Sequence, residues 1–205
     1  MRPEGTDAPG AAVGSFAPAE RRRLLGVARR ALCDFVFHQR LPEPVPGAGP
    51  QPRRGAFATL HRAGRLRGCM GRPDASEPLE TLVAVCAVLA AAHDPRFPPL
   101  KPEEVEGLEI ELSILTPPRA VPPAEALERI VPGIHGIVVS RGALRGLLLP
   151  QVASEQGWGA QRFLEETCRK AGLPLDAWRD PEARIELFTA EVFSEADYGA
   201  KEDIA

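Results

Sequence analysis

The chain has 205 residues, of which 44% are hydrophobic and 26% are charged, and its formal net charge is −3. This composition is typical of a globular protein and excludes a wholly disordered or fibrous chain. The sequence pI near 5.9 argues against a generic nucleic-acid-binding domain, because such domains carry a strong basic surplus. The longest apolar stretch, Leu79–Ala92, is shorter than the roughly 20 residues of a membrane-spanning helix, so we expect no membrane span.

Only three of the 25 basic residues are lysines, and the rest are arginines. Arginine binds carboxylates and phosphates with two parallel hydrogen bonds, so the bias is compatible with an anionic partner. A preference for GC-rich codons explains it without any function. The four cysteines, Cys33, Cys69, Cys86 and Cys168, contain no CxxC pair, which argues against a disulfide framework or a zinc knuckle. Residues 1–14 hold no apolar run typical of a signal peptide, and we expect a cytoplasmic protein with reduced thiols.

The N-terminal half of the chain is predicted to form a helix, a hairpin, a second helix and an amphipathic strand, from the spacing of its apolar residues. These elements cover residues 18–39, 55–61 with 65–70, 78–92 and 108–115. Residues 1–14 are expected to be flexible, and residues 42–52 form a proline-rich loop. In the hairpin, Gly64 supplies the positive φ of the turn. Ser76 is expected to cap the second helix.

The C-terminal half is predicted to continue with a short helix, a second hairpin, two further helices and a last strand. These elements cover residues 124–130, 136–140 with 143–149, 151–156, 160–171 and 183–193. Gly172 follows the last helix as its C′ glycine. Hairpins mixed with helices, without a βαβ repeat, predict an α+β fold with a mainly antiparallel sheet flanked by helices.

The first candidate site is the segment Leu66-Arg67-Gly68-Cys69-Met70-Gly71. Gly68 and Gly71 allow a ligand to approach the Cys69 thiol closely, and Arg67 favours its thiolate form. A nucleophile or a redox thiol would be built in this way. On a regular strand, however, Arg67 and Cys69 share one face, so the segment is also compatible with a plain strand that bears a buried cysteine.

The second candidate is the loop His93-Asp94-Pro95-Arg96-Phe97-Pro98-Pro99. Three prolines within five residues stiffen the backbone, so Asp94 and Arg96 can hold a polar ligand at low entropic cost. A purely structural arrangement is also compatible with this sequence. In it, Asp94 ends the buried helix, Arg96 pairs with Asp94, and Phe97 fills the core.

His135 is the third candidate, in the segment Gly133-Ile134-His135-Gly136 at the start of a predicted strand. A histidine in this place can serve as a general base or a metal ligand, or it can be hydrogen-bonded without any further role. His61, His93 and His135 together with Cys69 contain enough ligand atoms for a metal ion. Nothing in their spacing selects that arrangement, so no metal site is predicted.

Taken together and in this order, these segments resemble the AMMECR family, whose bacterial branch is labelled AmmeMemoRadiSam system protein A. Further matching segments lie in the C-terminal half of the chain. They are Leu148-Leu149-Pro150-Gln151-Val152-Ala153, Gln156-Gly157-Trp158, Lys170-Ala171-Gly172-Leu173 and Ala177-Trp178. The resemblance covers roughly residues 18–195, and Met70 stands where the family usually has isoleucine.

The resemblance implies that residues 15–198 form one α+β domain, in which a larger subdomain packs against a smaller one, followed by a polar tail over residues 199–205. It implies no reaction and no cofactor. It does imply an accessory role beside a Memo-like protein related to extradiol dioxygenases and a radical-SAM enzyme. It also favours a functional role for Arg67 and Cys69.

Two hypotheses about function follow from these observations. In the first, which we favour, the chain is a binding or adaptor domain whose cleft holds a partner or a small anionic ligand, with Arg67, Arg96 and His135 converging. In the second, it is an enzyme that uses Cys69 as nucleophile or redox thiol, with His135 or His93 as base. A third interpretation leaves Cys69 as a core residue without a site.

Overall fold

The computed structural model describes residues 15–44, 54–73 and 77–198. Several sequence predictions lie outside these residues. They are the flexible segment over residues 1–14, residues 45–52 of the proline-rich loop, the Ser76 cap and the tail over residues 199–205.

The described residues form five α-helices and eight β-strands. The helices are α1 (Pro18–His38), α2 (Leu79–Ala92), α3 (Ala126–Arg129), α4 (Pro150–Gln156) and α5 (Ala160–Lys170). The strands are β1 (Ala56–Arg62), β2 (Arg65–Arg72), β3 (Leu108–Leu115), β4 (Arg119–Val121), β5 (Gly136–Arg141), β6 (Leu144–Leu148), β7 (Arg184–Phe188) and β8 (Ala190–Ser194). Short 3-10 helices lie at Pro102–Glu104, Pro123–Glu125, Ala177–Arg179 and Glu195–Tyr198.

The strands form two antiparallel sheets. Sheet I has the order β2-β1-β3-β8, and sheet II has the order β4-β7-β5-β6. Sheet I shares the larger hydrophobic core with α1 and α2. Sheet II shares a smaller core with α4 and α5. The predicted α+β class is therefore confirmed, and the antiparallel strands are divided between two sheets.

The two sheets are joined where two chain segments cross from one to the other. Thr116 follows β3 and leads towards β4, while Thr189 connects β7 to β8. The Thr116 N–H donates to the Thr189 carbonyl at 2.9 Å, and the Thr189 N–H donates to Thr116 Oγ1 at 2.9 Å. A third apolar cluster, which includes Phe57, Val138 and Phe188, fills the space between the sheets.

This crossing explains two errors in the predicted strands. The single strand over residues 183–193 is wrong, because the chain leaves sheet II at Thr189 and enters sheet I. The strand β4 lies in residues 116–123, a proline-rich segment between the predicted strand over residues 108–115 and the predicted helix over residues 124–130, and no strand was predicted there. It is an edge strand that pairs with β7 alone, where flanking prolines are tolerated.

The apolar helix α2 is buried as predicted, between α1 and sheet I. Its charged residue Glu80 is also buried and pairs with Arg23 of α1 at 2.5 Å. A second ion pair joins Arg29 of α1 to Glu195, which follows β8. These pairs fix α1 to α2 and to the segment that follows β8. The candidate site lies on the face of sheet I that points away from α1 and α2.

Candidate functional site

The site begins at β2, the edge strand of sheet I. The turn before it has positive φ at both Ala63 and Gly64, so the prediction for Gly64 is confirmed. The pairing of β1 with β2 shifts between Leu60 and His61, which leaves Arg67 as a bulged residue. The two-residue alternation of a regular strand therefore does not decide whether Arg67 and Cys69 share a face.

Gly68 and Gly71 are explained by packing inside the protein. A Cβ atom at Gly68 would lie 2.2 Å from the Ala90 carbonyl oxygen, so glycine lets the end of α2 approach β2. A Cβ atom at Gly71 would lie 2.3 Å from the Phe57 ring. Packing alone requires glycine at both positions, and their role towards a ligand stays a prediction.

Most of the guanidinium N–H groups of Arg67 donate hydrogen bonds to other protein groups. Its Nε and Nη2 donate to the two carboxylate oxygens of Glu104 at 2.8 and 2.9 Å, and its Nη1 donates to the Pro98 carbonyl at 3.0 Å. The side-chain hydrogen bonds from Arg67 are the main cause that lowers the pKa of Glu104 from 4.5 to about 2, and the Lys101 N–H acts in the same direction. The side chain is only 13% exposed. Arg67 therefore fastens the proline loop to β2 and has little surface left for a ligand.

Asp94 links the proline loop to the backbone of Cys69. Its carboxylate accepts hydrogen bonds from the Cys69 N–H at 2.8 Å and from Nε and Nη2 of Arg96 at 2.9 and 2.7 Å. The Arg96 side chain is the main cause that lowers the pKa of Asp94 to about 2. Because β2 is an edge strand, this carboxylate also satisfies an N–H group that would otherwise be open to another strand.

Arg96 has two distinct edges. One edge is held by Asp94, and its Nη2 also lies 3.4 Å from the Cys69 carbonyl oxygen. Its side chain is 55% exposed, and within the described residues its Nη1 has no hydrogen-bond partner. The expected pairing of Arg96 with Asp94 is thus present, and one edge of the guanidinium remains open to solvent beside Cys69. Phe97 is half-buried and lies beside the Arg67 and Arg96 guanidinium groups rather than in the core.

The Cys69 thiol is half-buried, on a face of sheet I that carries several polar residues. It accepts a hydrogen bond from Thr59 Oγ1 at 3.3 Å. Thr59 of β1 pairs with Cys69 on one side and with Glu111 of β3 on the other. Paired residues of antiparallel strands point to the same face, so Cys69, Thr59 and Glu111 form one row across the sheet.

Glu111 is a half-buried carboxyl group at the end of this row. It accepts no hydrogen bond from the described residues. Burial raises its pKa, and the neighbouring carboxylates act in the same direction. These carboxylates belong to Glu109, Glu155 and Asp197, while His61 opposes them. A carboxyl group with a perturbed pKa and no hydrogen-bond donor is a candidate for a functional role.

Lys170, the last residue of α5, brings a second cation to Cys69. The residue as a whole is exposed to solvent. The protein atoms around its amine nevertheless displace water from the charged group, and this burial lowers the pKa of Lys170. Cys69 acts to raise the pKa of Lys170 and the Arg96 guanidinium acts to lower it, so all three groups lie within electrostatic range. No ion pair engages Lys170 in the described part of the chain.

Gln151 of α4 covers the same face of sheet I. Its Nε2 donates to Ser113 Oγ at 3.4 Å, and Ser113 pairs with Phe57 beside the row of Cys69 and Glu111. The other amide atom, Oε1, is buried without a hydrogen-bond partner. A buried acceptor of this kind needs a donor from water or from a ligand.

His135 lies in a different environment. Its Nδ1 accepts a hydrogen bond from the Val131 N–H at 3.1 Å, and burial lowers its pKa. Within the described residues, no hydrogen bond joins Cys69 to a histidine. No hydrogen bond or ion pair joins His135 to Arg67 or Arg96 in the described part of the chain, and the role of His135 as a base or a ligand stays a prediction.

The structure thus joins Cys69, Asp94 and Arg96 as the sequence suggested, and it adds Thr59, Glu111 and Lys170. The polar alternation of strand 108–115 was the signal for Glu111. Lys170 was one of only three lysines in a chain rich in arginine. Thr59 carried no signal, because its role depends on the register of β1.

Three further features complete the description of this region. No group of three or more potential metal ligands occurs among the described residues. None of the described helices is long and apolar enough to span a membrane. A cavity of about 590 Å³ between α1 and residues 40–43 lies apart from the row, and none of the residues of the row lines it.

Comparisons with known proteins give the family of the chain. The AMMECR1 family model matches residues 25–193. A Methanothermobacter thermautotrophicus protein is 46% identical over 189 residues, which cover 88% of this chain and 98% of that protein. A Thermococcus kodakarensis protein is 43% identical over 181 residues, which cover 84% of this chain and 88% of that protein.

A solved structure agrees with this result. The crystal structure of uncharacterized protein PH0010 from Pyrococcus horikoshii superimposes with a TM-score of 0.77 at 42% identity, covering 84% of this chain and 89% of that one. These relatives are archaeal proteins, so they do not bear on the bacterial branch that the sequence suggested. The chain belongs to the AMMECR1 family.

Proposed function

We propose that this protein is a binding component that holds a small anionic ligand beside Cys69, on the polar face of sheet I. The observation that carries the proposal is the open edge of Arg96, which Asp94 and the Cys69 carbonyl hold in place. A guanidinium whose orientation is already fixed loses little entropy when it binds a carboxylate or a phosphate.

Lys170, at the end of α5, supports the same proposal. It lies within electrostatic range of Arg96 and has no carboxylate partner among the described residues. Asp94 already offsets the charge of Arg96, so Lys170 is the cation of this pair that has no ion-pair partner among the described residues. An anionic group would supply that partner and would also accept from the exposed side chain of Arg96. Arg67 takes a supporting role in this proposal, since its side chain is only 13% exposed and most of its guanidinium is bound to Glu104 and Pro98.

The test is a titration of the full chain with inorganic phosphate and with acetate. The backbone amide NMR signals of Cys69 and Arg96 are monitored during the titration. We expect saturable shifts that weaken at least fivefold in Lys170→Met, because one of the two cations is lost. Lys101→Met is the matched control, since Lys101 is an exposed lysine outside the row. Equal binding by Lys170→Met and the parent, or no saturable shift at all, would overturn the proposal.

The wider role that the family resemblance implies is accessory. We propose that the chain works beside a Memo-like protein and a radical-SAM protein, in the cytoplasm, and that the ligand site belongs to that shared task. Co-expression of the three proteins followed by affinity purification of this chain tests the association. Recovery of neither partner, under conditions where all three are expressed and folded, contradicts it.

The alternative is an enzyme with Cys69 as nucleophile. The observation that keeps this alternative is that the half-buried Cys69 thiol accepts a hydrogen bond from Thr59 and lies beside the guanidinium of Arg96. Alkylation of Cys69 as a function of pH tests it. A rate that follows an apparent pKa well below about 8.5 supports an activated thiol, and a rate that follows an ordinary thiol argues for binding alone.

A further inference from the structure

We propose that Arg54 is the anion-binding residue of a second site, which takes a small carboxylate or phosphate beside the N-terminal end of α1. The observation behind it is the state of the Arg54 side chain, which is buried and charged and has no acceptor among the described residues. This inference goes beyond the proposed function, because Arg54 lies on the other face of sheet I from Cys69.

Arg54 differs from the other buried charged residues of the described chain. Each of the three buried carboxylates there pairs with an arginine, in the pairs Glu80–Arg23, Asp94–Arg96 and Glu195–Arg29. Arg54 is only 6% exposed, and its side chain takes part in no ion pair or hydrogen bond with the described residues. Its Nε is buried without a hydrogen-bond partner. Because a buried cation is costly unless it is paired, this side chain needs an anion.

The surroundings of Arg54 hold its guanidinium in place. The carbonyl of the next residue, Gly55, accepts a hydrogen bond from the Leu115 N–H at 2.8 Å, and a Cβ atom at Gly55 would lie 2.4 Å from the Pro73 carbonyl oxygen. The Cζ atom of Arg54 lies 4.9 Å from the centroid of the Phe16 ring, in a cation–π contact. The ring covers one face of the guanidinium and leaves its edge, which carries the N–H donors, for an oxyanion. A guanidinium held in this way loses little entropy when it binds a ligand.

The N-terminal end of α1 adds a second feature that favours an anion. Phe16 lies two residues before Pro18, the first residue of this 21-residue helix, so the contact with Phe16 places Arg54 beside the helix end. The N-cap residue is Ala17, which offers no side-chain oxygen to the free N–H groups of the first turn. The helix dipole disfavours a cation at this end and favours an anion. An anion bound to Arg54 would therefore be stabilised by both the guanidinium and the dipole.

Two described carboxylates at this end of α1 bind other donors. Glu191 of β8 accepts hydrogen bonds from the Phe16 N–H and from Nε of Arg21. Glu20 accepts from a backbone N–H at the start of its own helix. Neither of them pairs with Arg54. The anion therefore comes from outside the described residues, and we commit to a dissolved carboxylate or phosphate, which matches the paired N–H donors of a guanidinium edge.

Arg54 and Cys69 lie on opposite faces of sheet I. Ala56 and Leu60 of β1 pack in the larger core with α1 and α2. Arg54 precedes Ala56 by two residues, and alternate residues of an extended chain point to the same face. Phe16, which contacts Arg54, packs against the same core. The second site is therefore on the α1 side of the sheet, separate from the anion site proposed beside Cys69.

The experiment monitors the Nε–H signal of Arg54 by proton–nitrogen correlation NMR in the full chain. This signal is assigned through its bonds to the Arg54 backbone, so the assignment requires no variant. The probes are sodium acetate and sodium phosphate, added at fixed ionic strength with sodium chloride as the balance. We expect a saturable shift whose midpoint lies at least tenfold below that of the Nε–H signal of Arg119, an exposed arginine of β4. The probe with the lower midpoint identifies the bound group as a carboxylate or a phosphate.

Thermal melting gives a second measurement, with Arg54→Met as the variant that removes the charge and keeps an unbranched side chain. At a probe concentration about ten times the dissociation constant, the melting temperature of the parent should rise by about 3–5 °C relative to chloride alone. Arg54→Met should show only the general effect of the salt on stability. Arg119→Met is the matched control and should keep the full rise. If Arg54→Met does not fold, the NMR titration of the parent still decides the question.

The possible results separate this inference from the proposed function. If neither probe shifts the Nε–H signal of Arg54, the proposal is overturned. Either a carboxylate of the undescribed residues then already binds Arg54, or the side chain has a structural role alone. An equal rise in the melting temperature of Arg54→Met and the parent would also overturn it. Lys170→Met should weaken the response at Cys69 and leave the midpoint at Arg54 unchanged; a weaker response at both would refute a separate site. Failure at Arg54 alone leaves the anion site beside Cys69 standing.

Discussion

Asp94→Asn should destabilise the fold because the carboxylate of Asp94 is both buried and fully used. Its side chain is 2% exposed and accepts four hydrogen bonds, from the Cys69 N–H and from three N–H groups of Arg96. Asparagine offers one acceptor oxygen, and its amide N–H groups would face these donors. We therefore expect a loss of stability at neutral pH without a change of fold.

The expected size follows from the pKa of Asp94. The Arg96 side chain, helped by the backbone N–H groups, lowers it from 3.8 to about 2, which corresponds to about 2–3 kcal/mol of stability at pH 7. Since the folded state has the lower pKa, this contribution is complete well above pH 4. It declines as the pH falls below the unfolded value near 3.8, and it is lost below about pH 2.

Urea unfolding of the parent and of Asp94→Asn at pH 7 and pH 3 measures this contribution. We expect the parent to be more stable by about 2–3 kcal/mol at pH 7 and by about half as much at pH 3. Asp176→Asn is the control, since Asp176 is exposed, and it should leave the midpoint nearly unchanged at both values. A difference in the free energy of unfolding between the parent and Asp94→Asn below about 0.5 kcal/mol at pH 7 would refute the reasoning, and so would the same difference at both pH values.

Three further changes test the packing and turns around the site, each by urea unfolding at pH 7. Gly68→Ala should cost about 1–3 kcal/mol because its Cβ would meet the Ala90 carbonyl, whereas Gly159→Ala, with open space around it, should be nearly neutral. Ala63→Asn should raise stability by about 0.5–1 kcal/mol, since alanine there has a φ of 50° that asparagine tolerates better; a loss would contradict the turn geometry. Thr116→Val should cost about 1–2 kcal/mol by leaving a backbone N–H of the strand crossing without its acceptor, and an unchanged midpoint would argue against that bond.

Much of the local structure of this chain could be predicted from its sequence. The apolar run of α2, the alternation of β3 and the glycine of the first turn each depend on nearby residues, and each prediction is confirmed. The strand over residues 183–193 could not be predicted correctly. Its division at Thr189 depends on which sheet each half joins, and that choice is made by contacts far apart in the sequence.

The same limit applies to the candidate site. The motif around Cys69 and the pairing of Asp94 with Arg96 were visible because those residues are close in sequence. The bulge at Arg67 was not visible in the sequence, since it depends on the register of β1 against β2. Lys170 and Glu111 reach the Cys69 face only through the packing of α5 and the pairing of β3, so their place in the site was found only in the structure.

The most direct test of the anion site compares the rates at which Cys69 reacts with iodoacetate and with iodoacetamide, in the full chain carrying Cys33→Ala. The reagents differ in charge, so the ratio of their rates reports the electrostatic potential at the thiol. At low ionic strength, we predict that Lys170→Met lowers the ratio of iodoacetate to iodoacetamide about three- to tenfold, while Lys101→Met leaves it unchanged. An equal ratio in Lys170→Met and the parent would contradict the claim that the side chain of Lys170 makes this face of sheet I a binding site for anions.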